Sequence, residues 1–147
     1  DGVRSKRAEA FYDACVAAGI NTKLVDDIHT AIWAKFIRLV TMSSMTALCR
    51  MPVGPIREDP DTRALLRQVM SEVVTVAQAK GAKLENDTIE QQMAVVDSYP
   101  PTMVASMCGD LRRGNRLELP WLAGTVAELG KELGIATPAN QLLYAAL

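Results

Sequence analysis

A chain of 147 residues is the size of one domain able to bury its own core, and 49% hydrophobic against 22% charged residues makes it globular rather than disordered. Sixteen Lys and Arg against 17 Asp and Glu leave a formal charge of -1, so bulk electrostatics imply neither a nucleic-acid partner nor an anionic membrane. No apolar run approaches the roughly 20 residues that span a bilayer, and no secretory leader opens the sequence, so the cytoplasm is the expected compartment.

Helical periodicity dominates. A first helix is expected from the N-cap Ser5 to Ala18, closed by Gly19, and residues 20–25 (INTKLV) alternate weakly enough to read as a short strand. The second helix opens at Asp26-Asp27 and ends near Arg50, where MPVGPIREDP holds three prolines and a glycine and reads as a loop. Asp59-Pro60 starts the best-defined helix, whose stripe Leu65, Leu66, Val69, Met70, Val73 and Val74 leads to a stop at Gly81. Shorter helices follow from Asp87 to Asp97 and from Thr102 to about Arg113. Another runs from Pro120 to Leu133 before Gly134, and a last one starts at Pro138. The fold class is all-α, one compact domain of six or seven helices.

Within that frame Lys35 is the most informative residue. It shares a helical face with Ile28, Ile32, Leu39 and Met42. On such a face a lysine either lays its methylenes on the surface with its ammonium in water, or serves as a proton donor tuned by desolvation. Ser106 and Asp110, one turn apart, and Glu118 before Pro120 are polar groups able to face the same pocket. Their ordinary alternatives are helix packing for Ser106, a solvated or Arg-paired carboxylate for Asp110, and a helix-dipole charge for Glu118. The single His29 excludes a two-histidine metal site. Cys15, Cys49 and Cys108, without CxxC spacing, read as reduced thiols; no metal is expected.

Four blocks in order give the chain a family likeness: Trp33-Ala34-Lys35-Phe36 with Thr46-Ala47 and Pro52-Val53-Gly54; Glu72-Val73, Ala77 and Gly81; Ser106-Met107 with Asp110, Glu118 and Gly124; and Gly134-Ile135, Pro138 and Asn140. From about Asp26 to Leu147 the chain resembles the C-terminal domain of the ketopantoate reductases (2-dehydropantoate 2-reductases), within the 6-phosphogluconate dehydrogenase-like reductases. The resemblance implies reduction of a 2-oxo acid to pantoate for pantothenate and coenzyme A synthesis. It implies NADPH on an N-terminal Rossmann domain, and substrate in the cleft against the helical one. Lys35 and Glu118 would then be catalytic, Ser106 substrate-binding, and Glu72 and Asp110 supporting. The family's asparagines four and eight residues after the lysine are Leu39 and Ser43 here. Ser43 keeps a hydroxyl for substrate; Leu39 cannot hydrogen-bond, which points toward a paralogue acting on another 2-oxo acid.

No GxGxxG follows a strand, so residues 1–25 read as the tail of an absent Rossmann domain and 26–147 as the helical substrate domain. The tail without its sheet would expose apolar surface, which predicts self-association and allows for a homodimer. Two other classes stay open: a non-catalytic helical interaction module, and the helical domain of a 3-hydroxyacid or 6-phosphogluconate type of dehydrogenase.

Overall fold

The computed structural model describes residues 4–147, and among them it contains eight α-helices, one 3-10 helix and no strand. The helices are α1 (Lys6–Ala17), α2 (Ile28–Cys49), α3 (Val53–Glu58), α4 (Pro60–Ala79), α5 (Thr88–Ser98), α6 (Ser106–Arg113), α7 (Ala123–Leu133) and α8 (Pro138–Ala146), with the 3-10 turn at Leu119–Trp121.

Most ends follow from local chemistry. Ser5 Oγ accepts from the Ala8 amide at 3.2 Å. Asp27 accepts from the Thr30 amide at 3.0 Å and from its hydroxyl at 2.8 Å. Asp59 accepts from the Thr62 amide at 2.9 Å ahead of Pro60, which occupies a position whose missing N–H would be unpaired anyway. Gly81 and Gly134 take left-handed φ of 87° and 68° just past α4 and α7.

The fold is organised around the second half of α2. Every residue from Val40 to Ala47 is buried, because α3, α4, α5, α6 and α8 pack around that segment. On so buried a segment Thr41 and Thr46 pair within the helix, donating to the carbonyls of Ile37 and Met42 at 2.8 and 2.7 Å, while Ser44 Oγ has no partner among the described residues. Ile37, Val40 and Met45 meet Leu66, Val69, Met70 and Val73 of α4, Met107 of α6 and Leu143 of α8 in one continuous core.

Four expectations change. Residues 20–25 form no strand; no strand among the described residues offers them a partner, and six residues of weak alternation do not hold a ladder alone. The segment read as a loop before Asp59 contains α3. Gly54 and Pro55 fall in its first turn, where amides lack intrahelical partners, so neither acts as a breaker. Instead the amides of Val53 and Gly54 donate to the carbonyls of Met103 and Pro101 at 2.8 and 2.9 Å. Those same bonds hold the chain in a non-helical course up to Ala105, and α6 begins at Ser106 rather than Thr102. Pro120 lies in the 3-10 turn, and α7 begins at Ala123, past an abrupt bend at Leu122.

A lysine cleft on the free face of the central helix

The stripe of Ile28, Ile32, Lys35 and Leu39 is not a core stripe. Ile28, Ile32 and Leu39 are 49%, 60% and 41% exposed, and Lys35 is exposed among them. The face of α2 turned inward carries Phe36, Ile37 and Val40 instead. Of the two readings of Lys35, the arrangement fits the one with the side chain on the surface and its ammonium in open space.

That space is a cleft of about 340 Å³, lined by Lys35, Arg38, Leu39, Met42 and Ser43 of α2, by Tyr99 and Met103–Ala105 of the α5–α6 connection, and by Ser106 opening α6. Three predicted site residues, Lys35, Ser43 and Ser106, thus meet in one place. Ser43 is buried at 2% exposure and its hydroxyl makes no hydrogen bond among the described residues, while Ser106 sits exposed at the helix start.

The connection wall is fixed by α3. A Cβ on Gly54 would lie 2.7 Å from Pro101 Cβ, so only glycine lets the two backbones approach this closely. Arg57 Nη1 donates to the carbonyls of Val96, Asp97 and Tyr99 at 2.9, 2.9 and 2.8 Å, capping the C-terminal end of α5. On the far wall, the Ala105 amide donates to Thr46 Oγ1 at 3.3 Å, tying the connection to α2.

The three carboxylates fall elsewhere. Asp110 accepts from Asn115 Nδ2 at 3.0 Å and from Arg113 Nη2 at 2.8 Å; the amide first, and then the guanidinium, hold its carboxyl below the usual range. It is the Arg-paired carboxylate of the ordinary reading. Glu118 is exposed at the entrance to the 3-10 turn, and no ion pair among the described residues joins it to Lys35. Glu72 is buried at 4% and accepts from the amides of Ala139 and Asn140 at 2.9 Å each, from Asn140 Nδ2 at 2.8 Å and from Gln68 Nε2 at 3.1 Å. It is an N-cap reaching from α4 to α8, and it supplies the helix start that Thr137 leaves without a side-chain bond.

Several cleft residues are not singled out by the sequence. Arg38 follows Lys35 by three positions, a spacing that places both on neighbouring parts of one helical surface, and it donates to Gln92 Oε1 of α5 at 2.9 Å. Tyr99 and the apolar Met103 and Val104 come from a connection whose course only tertiary hydrogen bonds determine. No group of three His, Cys, Asp or Glu able to hold a metal occurs among the described residues. All three cysteines are free, and burial pushes the Cys49 thiol up, with Asp59 adding to the effect.

Residues 27–147 match the family described as ketopantoate reductase PanE/ApbA C terminal. The chain belongs to that family. It is 32% identical over 139 residues to a 2-dehydropantoate 2-reductase from Caulobacter vibrioides, covering 95% of this chain and 47% of that protein. It is 30% identical over 126 residues to the namesake from Pyrobaculum aerophilum, covering 86% of this chain and 45% of that one. A dimeric ketopantoate reductase from Staphylococcus aureus superposes with a TM-score of 0.88 at 29% identity, over 97% of this chain and 49% of that structure. The chain therefore spans about half the length of the curated relatives it matches, 45% and 47% for these two. D-Mandelate dehydrogenase in complex with NADH shares the fold, with a TM-score of 0.85 at 20% identity. No described helix is long and apolar enough to cross a membrane.

Proposed function

We propose that this chain is the helical substrate domain of an NADPH-dependent 2-oxo acid reductase, which reduces 2-dehydropantoate to pantoate or acts as a close paralogue on another 2-oxo acid. The observation that carries the reading is the convergence of Lys35, Ser43 and Ser106 on one cleft in a chain of the ketopantoate reductase family. Nothing in the cleft resembles a pyrophosphate cradle: the described residues form no strand-to-helix glycine turn, so the dinucleotide belongs mainly to a separate Rossmann domain. When bound there, the nicotinamide supplies hydride to the carbonyl carbon.

The chain's own residues supply the rest. The Lys35 ammonium holds a proton at Nζ, hydrogen-bonds the carbonyl oxygen and releases the proton to it as negative charge develops on that oxygen. Ser43 and Ser106 offer hydroxyls that orient the substrate's oxygens. Closure of the cleft by the second domain would remove water from around the ammonium and strengthen both effects. The family resemblance gives Glu118 a supporting role beside Lys35, from a position outside the cleft lining. Glu72 and Asp110 support the fold rather than the chemistry, through α8 and the end of α6.

The exposed apolar residues Phe11, Val16 and Ile20, beside Ile28 and Ile32 of early α2, support residues 1–25 as the tail of the nucleotide domain. By analogy with the dimeric relative the enzyme is a homodimer. Leu39, which lines the cleft, is 41% exposed and cannot hydrogen-bond, supports a 2-oxo acid with an apolar side chain. The test is NADPH oxidation by the two-domain enzyme with 2-dehydropantoate and a panel of 2-oxo acids. Turnover of 2-dehydropantoate above the panel supports the named reaction, preference for an apolar 2-oxo acid supports the paralogue, and turnover of none sinks both.

A further inference from the structure

Arg38 is a cation in the cleft to which no role has been given. It is half-buried, and its side chain is steered by a single bond from Nη1 to Oε1 of Gln92, an amide buried at 7% exposure. The ion pairs among the described residues join Arg4 to Asp26, Arg63 to Asp97, Arg67 to Glu90 and Arg113 to Asp110; none neutralises Arg38. A guanidinium has five N–H donors, so one bond to a neutral amide fixes its direction and leaves a planar fork for an anion. Its neighbours in the cleft, Leu39, Met42, Met103 and Val104, offer it no counter-charge.

Lys35 and Arg38 are three residues apart on α2, about 5–6 Å between Cβ atoms. A 2-oxo acid carries its carbonyl oxygen and its carboxylate on adjacent carbons, so two cations at this spacing match the two oxygen centres of one small molecule. We infer that Arg38, positioned by Gln92, binds the carboxylate of the 2-oxo acid whose carbonyl oxygen Lys35 protonates. The inference rests on the reductase reading above. It makes Arg38 a substrate-binding residue that selects acids over neutral ketones, and Gln92 a positioning residue.

The experiment is steady-state kinetics of the two-domain enzyme on the best 2-oxo acid and on its uncharged methyl ester. It compares the unaltered enzyme with Arg38→Leu, Arg38→Lys and Gln92→Leu. A charge-assisted hydrogen bond corresponds to roughly a 10- to 100-fold change. Arg38→Leu should therefore raise KM for the acid by about 10- to 100-fold, with kcat changed much less and KM for NADPH unchanged. The ester, already a poor substrate, should be unaffected. Arg38→Lys should restore part of the acid's affinity, and Gln92→Leu should raise its KM by a smaller factor. If Arg38→Leu does not fold, the lysine variant carries the test through its partial loss on the acid alone. Equal losses on acid and ester would make Arg38 merely structural, and a rise confined to NADPH would make it a cofactor contact; either overturns the inference. An unaltered enzyme that reduces 2-oxo acids, with Arg38 variants that match it, overturns this inference alone. An unaltered enzyme that reduces none overturns the reductase reading with it.

Discussion

The two halves of α2 are built from similar residues and have opposite environments. From Val40 to Ala47 every side chain is buried, whereas Ile28 and Ile32 in the first half are about half exposed or more, and α1, which precedes it in the chain, buries nothing. An apolar side chain stabilises the fold only where something covers it, at roughly 25 cal/mol per Å² removed from water. The second half is therefore invested in folding, and the first half presents apolar surface and a lysine to something else. The comparison teaches that apolar periodicity marks a face that must be covered without saying whether the cover is the protein's own core.

The sharpest way to break the comparison is Lys35→Ala in the two-domain enzyme. Loss of the proton donor should lower kcat by about 10²- to 10⁴-fold while the melting temperature stays within error, since an exposed side chain contributes little to stability. A fall in melting temperature of comparable weight would place Lys35 in the structural half. Next in size, Met45→Ala, at 0% exposure, should cost about 2–5 kcal/mol in denaturant unfolding, and Ile32→Ala about 0.5 kcal/mol or less. Equal losses would erase the distinction between the halves.

Glu72→Ala tests whether the far side of the core depends on one carboxylate. It strips the acceptor from the buried start of α8 and should cost about 2–4 kcal/mol, with amide exchange accelerated first in α8; Glu72→Gln, which keeps one acceptor oxygen, should cost less. Gly54→Ala forces α3 from the α5–α6 connection and should cost about 1–3 kcal/mol, with loss of substrate affinity because that connection is a cleft wall. The smallest effect concerns pH. Arg63 grips Asp97 through bonds of 2.7 and 2.8 Å and holds its carboxyl below the ordinary value. At acid pH the unfolded chain binds the proton more readily than the folded one, so this contribution is present above about pH 4 and is lost as pH falls through the depressed value. The pair is partly exposed, so the difference between wild type and Asp97→Asn should stay below about 1 kcal/mol and shrink in high salt.

Much of the fold was readable because its signals are local. Asp27, Asp59-Pro60, Gly81, Gly134 and Pro138 act on the backbone within a turn of themselves, and each falls at or beside the helix end it predicts. What escaped depends on distant partners. Proline and glycine around α3 read as breakers until Pro101 and Met103 accept its amides, and Thr102 reads as a helix start until its neighbours' carbonyls are taken. The site divides the same way. Lys35 is singled out by its spacing on α2, Ser106 by its place in the expected helix 102–113 and Ser43 by family resemblance alone, and the fold lines one cleft with all three. Asp110, Glu118 and Glu72 share the sequence neighbourhood of such sites, but their side chains are directed by Arg113 and Asn115, by an exposed turn and by the start of α8.

The hydrogen bonds that suspend the α5–α6 connection from α3 and Thr46 have a thermodynamic consequence. Because Pro101 and Met103 are already tied down by the α3 amides and Ala105 by the Thr46 hydroxyl, this wall of the cleft is pre-formed, and a ligand need not freeze it. The conformational entropy lost on binding should then come from the long side chains of Lys35 and Met42 and, in the proposed two-domain enzyme, from closure of the second domain. Affinity would accordingly be tuned at those side chains and hardly at all along the tethered rim.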